Sequence, residues 1–120
     1  MDPIFTNNRI LDFRDMILIV KLTKNFNGNP FERIIFTDSH DTAANGHKRL
    51  NQEISPKNPT DMYAKKKTLL AAALLMTTPG IPMLLQGQEF MQSGNFNDWQ
   101  ALDWENADKH RGIVLAHKHL

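Results

Sequence analysis

The sequence predicts a parallel α/β fold, and three observations lead there. Arg33-Ile34-Ile35-Phe36-Thr37 is a short β-branched and aromatic run that stops at Asp38-Ser39-His40-Asp41. A second strand-like run, Gly80-Ile81-Pro82-Met83-Leu84-Leu85, ends in Gln86-Gly87-Gln88-Glu89-Phe90. Between them lies an alanine- and leucine-rich stretch long enough for a helix. Strand, polar loop, helix, strand, polar loop is the order of a parallel sheet. Each strand delivers carboxylates and amides at its C-terminal end, where α/β barrels and open α/β sheets gather their chemistry.

Each element follows from local pattern. In residues 9–24, Ile10, Phe13, Ile17 and Val20 recur at three- and four-residue spacing, with Leu11, Leu18 and Leu22 on a neighbouring flank. That spacing predicts a helix with a wide buried stripe. Asn25-Phe26-Asn27-Gly28-Asn29-Pro30 ends it, because Gly and Asn accept left-handed backbone and Pro cannot continue a helix. Residues 1–29 are therefore read as the helix that precedes the first strand, and their first few residues, which match no pattern, as its disordered start. The unbroken apolar run Ile34-Ile35-Phe36 predicts a strand over 33–37 buried on both faces. Residues 38–59, rich in Asn, Gly, Pro and His, read as one long loop of the length that usually serves function.

Thr60 or Asp61 caps the next helix, which runs to about Thr77. Leu70, Ala73, Leu74 and Thr77 share one face there, and the small alanines permit close approach to a sheet. Thr78-Pro79-Gly80 stops it, and Pro82 sits near the start of the second strand, where a missing N–H costs least. Residues 86–104 form a second polar loop carrying Phe90, Phe96, Trp99 and Trp104, and a last helix begins at about Ala107. The chain shows no internal repeat and no low-complexity linker.

At 120 residues with 41% hydrophobic content, the chain suits one modest domain or part of a larger one. Two parallel strands alone would leave both edges unpaired and their apolar faces half covered. A slice of a barrel or larger sheet is the expected architecture. Fourteen basic against thirteen acidic residues give no case for a nucleic-acid or anionic-membrane partner. The Lys65-Lys66-Lys67 run reads as a solvated helix face. With no cysteine, disulfides and thiolate metal sites are excluded. No basic-then-apolar leader pattern opens the chain, and no apolar run reaches the ~18 residues of a membrane span. A soluble, cytoplasmic chain is the expectation.

The residues that can carry chemistry stand at the strand ends. At the top of a strand, Asp41 can stabilise developing positive charge, and His40 beside it can donate to a substrate hydroxyl. The competing reading makes Asp41 an Asx-turn residue and lets His40 pack on the rim. Glu89 supplies a second carboxylate on what can be a neighbouring strand, and a carboxylate pair is what glycoside hydrolysis requires. Glu89 can equally pair with an arginine or cap a turn beside Gly87. The aromatic set can stack on sugar rings if exposed, or pin the loop if buried. The five histidines offer no metal-ligand spacing, and there is neither a glycine-rich phosphate loop nor a Gly-x-Ser-x-Gly elbow. No cofactor is implied.

Ile35-Phe36-Thr37-Asp38-Ser39-His40-Asp41 resembles the strand-7 motif of the α-amylase superfamily of glycoside hydrolases, an apolar strand ending in His-Asp. Pro79-Gly80-Ile81-Pro82-Met83-Leu84-Leu85-Gln86-Gly87-Gln88-Glu89-Phe90 resembles the strand-8 motif of the same superfamily. Phe96-Asn97-Asp98 followed by Leu102-Asp103-Trp104 is similar to the segment after strand 8 in the glucan branching enzyme subgroup, which Asn45-Gly46, Arg49-Leu50 and Glu53-Ile54 also fit. The likeness covers roughly residues 30–120. It implies the last two strand-helix units of a (β/α)8 TIM barrel, with the preceding helix at 1–29 and the site at the C-terminal strand ends.

By that resemblance Asp41 is the third catalytic carboxylate, which orients sugar hydroxyls and stabilises the oxocarbenium-like transition state. His40 binds the sugar just before the cleaved bond, and Glu89 supports the site from behind. This corrects the simple pairing of Asp41 and Glu89 as acid and nucleophile. The family's nucleophilic Asp, its acid/base Glu and the Arg beside the nucleophile lie on strands 4 and 5, which have no counterpart in this sequence. The implied reaction is retaining transfer of an α-glucosyl unit from an α-glucan to another glucan hydroxyl, and the isolated chain is expected to be inactive. An α-glucan or trehalose-related hydrolase, a non-catalytic barrel relative acting in binding or assembly, and an unrelated small α/β binding module are the other readings.

Overall fold

The structure is a computed structural model that describes residues 27–44 and 47–120. The helix expected over residues 9–24 lies outside the described residues. Where the description begins, Asn27 (φ 48°) and Gly28 (φ 81°) occupy the left-handed region, as their residue types led one to expect before Pro30.

Two short strands form the sheet, β1 (Ile34–Phe36) and β2 (Ile81–Met83). They run parallel, with Ile34 opposite Ile81, Ile35 opposite Pro82 and Phe36 opposite Met83. The domain is thus mixed α/β with a two-stranded parallel sheet. The Ile81 N–H donates to the Arg33 carbonyl at 2.8 Å and closes the near end of the ladder. Gly80, at φ 147°, makes this approach possible: a Cβ there would stand 3.1 Å from the Arg33 carbonyl oxygen.

The expected burial of the first strand on both faces is not met. Ile34, Phe36 and Ile81 project from one face of the sheet and are 58%, 43% and 57% exposed. A strand face is buried only by what packs on it, and the described elements leave this one open to solvent.

Residues 38–59 are not one loop. They contain helices α1 (His40–Ala44) and α2 (Leu50–Ile54). Ser39 and Thr42 start α1 by reciprocal side-chain bonding: the Ser39 N–H donates to Thr42 Oγ1 at 2.8 Å, and the Thr42 N–H to Ser39 Oγ at 3.2 Å. This is the logic of a capping box, which satisfies helix-terminal donors that polar composition alone assigns to a loop.

Helix α3 (Met62–Thr77) behaves as its sequence directs at both ends. The Asp61 carboxylate accepts the Ala64 N–H at 2.6 Å and a hydrogen bond from the Ser55 hydroxyl at 2.8 Å. At the other end Thr78 Oγ1 donates to the Leu74 carbonyl at 2.6 Å, and Pro79 prevents another turn. The buried stripe differs from the expected one. Ala64, Thr68, Ala71, Ala72 and Leu75 are buried, whereas Leu70 is 45% exposed. Residues 69–76 are apolar nearly all round, so periodicity could not choose a face. Packing chose it: Ala64 and Ala71 join Leu50, Ile54, Met91 and Ile113 in the core.

After β2 a 3-10 turn (Gln88–Phe90) interrupts the expected polar loop. The final helical stretch is split into α4 (Glu105–Lys109) and α5 (Arg111–His119), because His110 leaves helical geometry at φ −119°, ψ 34°. Helix α5 packs against both the 3-10 turn and α3. That contact brings the C-terminal segment beside the end of β2.

Candidate functional site

Both strand ends open toward one cleft of about 720 Å³. Its lining includes His40 from the start of α1, Leu84, Gln86 and Glu89 from the segment after β2, Phe96, and His117 from α5. Apolar surface from Leu84 and Phe96 adjoins the polar groups of His40, Gln86, Glu89 and His117 there, so the cleft is of mixed character. Two of the candidate residues, His40 and Glu89, are therefore brought together. Asp41 is not among the residues that line the cleft; it lies beside it, its Oδ1 3.3 Å from His40 Nε2, with side-chain exposures of 67% for His40 and 78% for Asp41.

The reciprocal Ser39–Thr42 cap explains why His40 and Asp41 are presented rather than buried. It places them in the first turn of α1, where a carboxylate is favoured by the helix N-terminus.

Beneath the cleft lies a buried polar clamp that sequence reasoning did not assign. Arg49, only 3% exposed, donates from Nη1 to the Gln86 carbonyl at 2.9 Å and from Nε to the Gly94 carbonyl at 3.2 Å. Asn51 donates from Nδ2 to the Met91 carbonyl at 3.1 Å and to Ser93 Oγ at 3.0 Å. Gln88 reaches the other way, donating from Nε2 to Thr37 Oγ1 at 2.6 Å. Together these bonds tie the segment after β1 to the segment after β2. In the sequence Asp38, Arg49 and Gln88 are only members of motif segments, and no local pattern could pair Arg49 or Gln88 with partners that stand 37 to 51 positions away.

Asp38 completes the clamp. Both of its oxygens accept the Leu50 N–H, at 3.1 and 3.2 Å, and Arg49 stands near enough to attract it. Burial nevertheless prevails and raises the Asp38 pKa above its ordinary value. The same burial lowers the pKa of Arg49, against the pull of Asp38 and Glu89. Glu89 bears on Arg49 only as a longer-range attraction. Gly87 sets the turn that carries Glu89, since its φ is 90° and a Cβ there would lie 2.6 Å from Gln92 Cβ.

The aromatic set divides. Phe90 is 1% exposed and pins the loop, whereas Trp104, 65% exposed, leans on it with 5.1 Å between ring centroids. Trp99 is 95% exposed. Phe96 faces His40, with centroids 5.9 Å apart and planes tilted by 57°. No group of three or more potential metal ligands occurs among the described residues. No helix among them is long and apolar enough to cross a membrane.

Comparison with known proteins places this geometry in context. No family model matches the chain, and no solved structure matches it. Curated relatives do. A 1,4-alpha-glucan branching enzyme of Deinococcus radiodurans is 34% identical over 86 residues, covering 69% of this chain and 12% of the relative. Its counterpart in Parasynechococcus marenigrum (strain WH8102) is 33% identical over 86 residues, 70% of this chain and 11% of the relative. That of Synechococcus sp. (strain CC9311) is 31% identical over 91 residues, 74% of this chain and 12% of the relative. The chain spans about an eighth of the length of the curated relatives it matches.

Proposed function

We propose that this chain, a relative of the 1,4-alpha-glucan branching enzymes of the α-amylase family, forms the sugar-binding rim contributed by two consecutive strand-helix units of a (β/α)8 barrel. In this reading residues 30–120 are the C-terminal part of a catalytic barrel acting on α-glucans in glycogen or starch metabolism. One observation carries it: His40 and Glu89, from beyond the C-terminal ends of two paired parallel strands, line a single cleft.

Roles follow from the chemistry of each group. Asp41, exposed beside His40, stabilises the positive charge that builds on the sugar ring as the glycosidic bond lengthens, and it orients ring hydroxyls. With Nε2 directed at Asp41, His40 has its other ring nitrogen for a sugar hydroxyl. Glu89 acts from behind, within the longer-range field of Arg49. The nucleophile and general acid belong to strands outside this sequence. The glycosyl unit is held covalently by that nucleophile and passes to a hydroxyl of a second glucan chain. Alone, the 120-residue chain therefore binds sugar weakly and does not turn it over.

The test is the Asp41→Asn substitution in a complete barrel carrying this segment. Turnover is expected to fall about a hundredfold or more, with the thermal midpoint unchanged. Near-normal turnover by a folded variant would reject the role given to Asp41.

A further inference from the structure

We infer that Phe96 is a positioning residue for His40, holding its imidazole in the orientation that meets the sugar; the inference rests on the sugar-binding role proposed for His40. An imidazole as exposed as this one, at 67%, would ordinarily sample several rotamers. Two contacts restrain it. One is Asp41 Oδ1 at 3.3 Å from Nε2, an exposed pair of the kind that holds geometry poorly. The other is the tilted ring of Phe96 at 5.9 Å, an aromatic contact that water and salt do not screen.

Phe96 can serve as an anchor because its own backbone is fixed. Its N–H donates to the Ala43 carbonyl at 2.9 Å, across from the segment after β2 to the end of α1. Two residues earlier, the Gly94 N–H donates to Gln52 Oε1 at 3.0 Å, and the Gly94 carbonyl accepts Arg49 Nε at 3.2 Å. Rigidity is thereby relayed from the buried arginine through Gly94 and Phe96 to a solvent-facing imidazole. With Nε2 turned toward the carboxylate, Nδ1 is the ring nitrogen left to meet a sugar hydroxyl. Phe96 acts through His40 and has no chemistry of its own.

The experiment combines imidazole nitrogen NMR with maltotetraose titration on the full chain. It compares Phe96→Met, which keeps bulk without a ring, with Phe96→Tyr, which restores the ring. In Phe96→Met the His40 nitrogen resonances are expected to move toward an averaged tautomer mixture, and maltotetraose binding to weaken about fivefold. Phe96→Tyr should restore both. In a His40→Ala background Phe96→Met should change binding less than about twofold, since its effect passes through the missing ring. Unmoved His40 resonances in Phe96→Met, or the same loss of binding with His40 absent, would overturn the inference. If the unsubstituted chain binds no maltotetraose, the sugar-binding reading fails, and the imidazole resonances alone decide whether Phe96 orients His40.

Discussion

Arg49 Nη1 stands 2.9 Å from the carbonyl oxygen of Gln86, and this single bond joins a buried cation in the segment after β1 to the segment that follows β2. The two halves of the candidate site keep their spacing through it and through the companion bond to Gly94. Replacing Arg49 with Met leaves two carbonyls without their donor and removes the attraction that Arg49 exerts on Asp38. The expected cost is about 2–3 kcal/mol, mainly the penalty of leaving buried acceptors unsatisfied. Urea unfolding of the variant checks this, and loss of hydrogen-exchange protection at the Phe96 amide would show the loops separating.

The glycine pair Gly87 and Gly94 separates strain from crowding. Their φ values are alike, 90° and 92°, but only Gly87 has atoms where a Cβ would stand. Gly94→Ala is expected to cost about 1 kcal/mol, the strain of left-handed backbone. Gly87→Ala adds an overlap with Gln92 and should cost about 2–3 kcal/mol. Equal losses for the two in denaturant melts would show that the Gln92 contact relaxes freely.

Asp61 gives the chain an acid-dependent helix start. Its pKa lies below the ordinary 3.8, first through the Ala64 N–H and then through the Ser55 hydroxyl. A carboxylate with a depressed folded pKa stabilises the fold above its unfolded value, and that stability is lost as pH falls through the folded value. Asp61→Ala should therefore lower the thermal midpoint at neutral pH, and the gap from the parent chain should close below about pH 3.8. Asp38 runs the opposite way. Its raised pKa makes the fold lose stability as pH rises from 3.8 through the folded value.

Trp99 and Trp104 differ in what they touch. Trp99, at 95% exposure, should be replaceable by Ala with a stability change within about 0.5 kcal/mol. Trp104 meets the buried Phe90 in a tilted ring contact, and its replacement should cost about 1–2 kcal/mol, the ring contact plus part of its area. Thermal melts of the two variants side by side decide this. If Trp99→Ala also weakens maltotetraose binding without altering the melt, Trp99 is a sugar platform.

Sequence alone determined the features that arise within a few residues of their cause. The two strands, their order and the polar segments that follow them, with His40-Asp41 in one and Glu89 in the other, were legible because β-branched runs and polar stops are local signals. So was the cap at Asp61, whose partner is three positions away. Tertiary structure decided what depends on distant neighbours. It chose which stripe of α3 is buried, since an apolar segment offers several, and it left Ile34 and Phe36 exposed where their composition suggested cover. It also assembled Arg49, Asn51 and Gln88 into a clamp and brought His117 to the cleft. A buried polar group takes whatever partner desolvation forces on it, and in this chain those partners lie tens of residues away, beyond the reach of any local pattern.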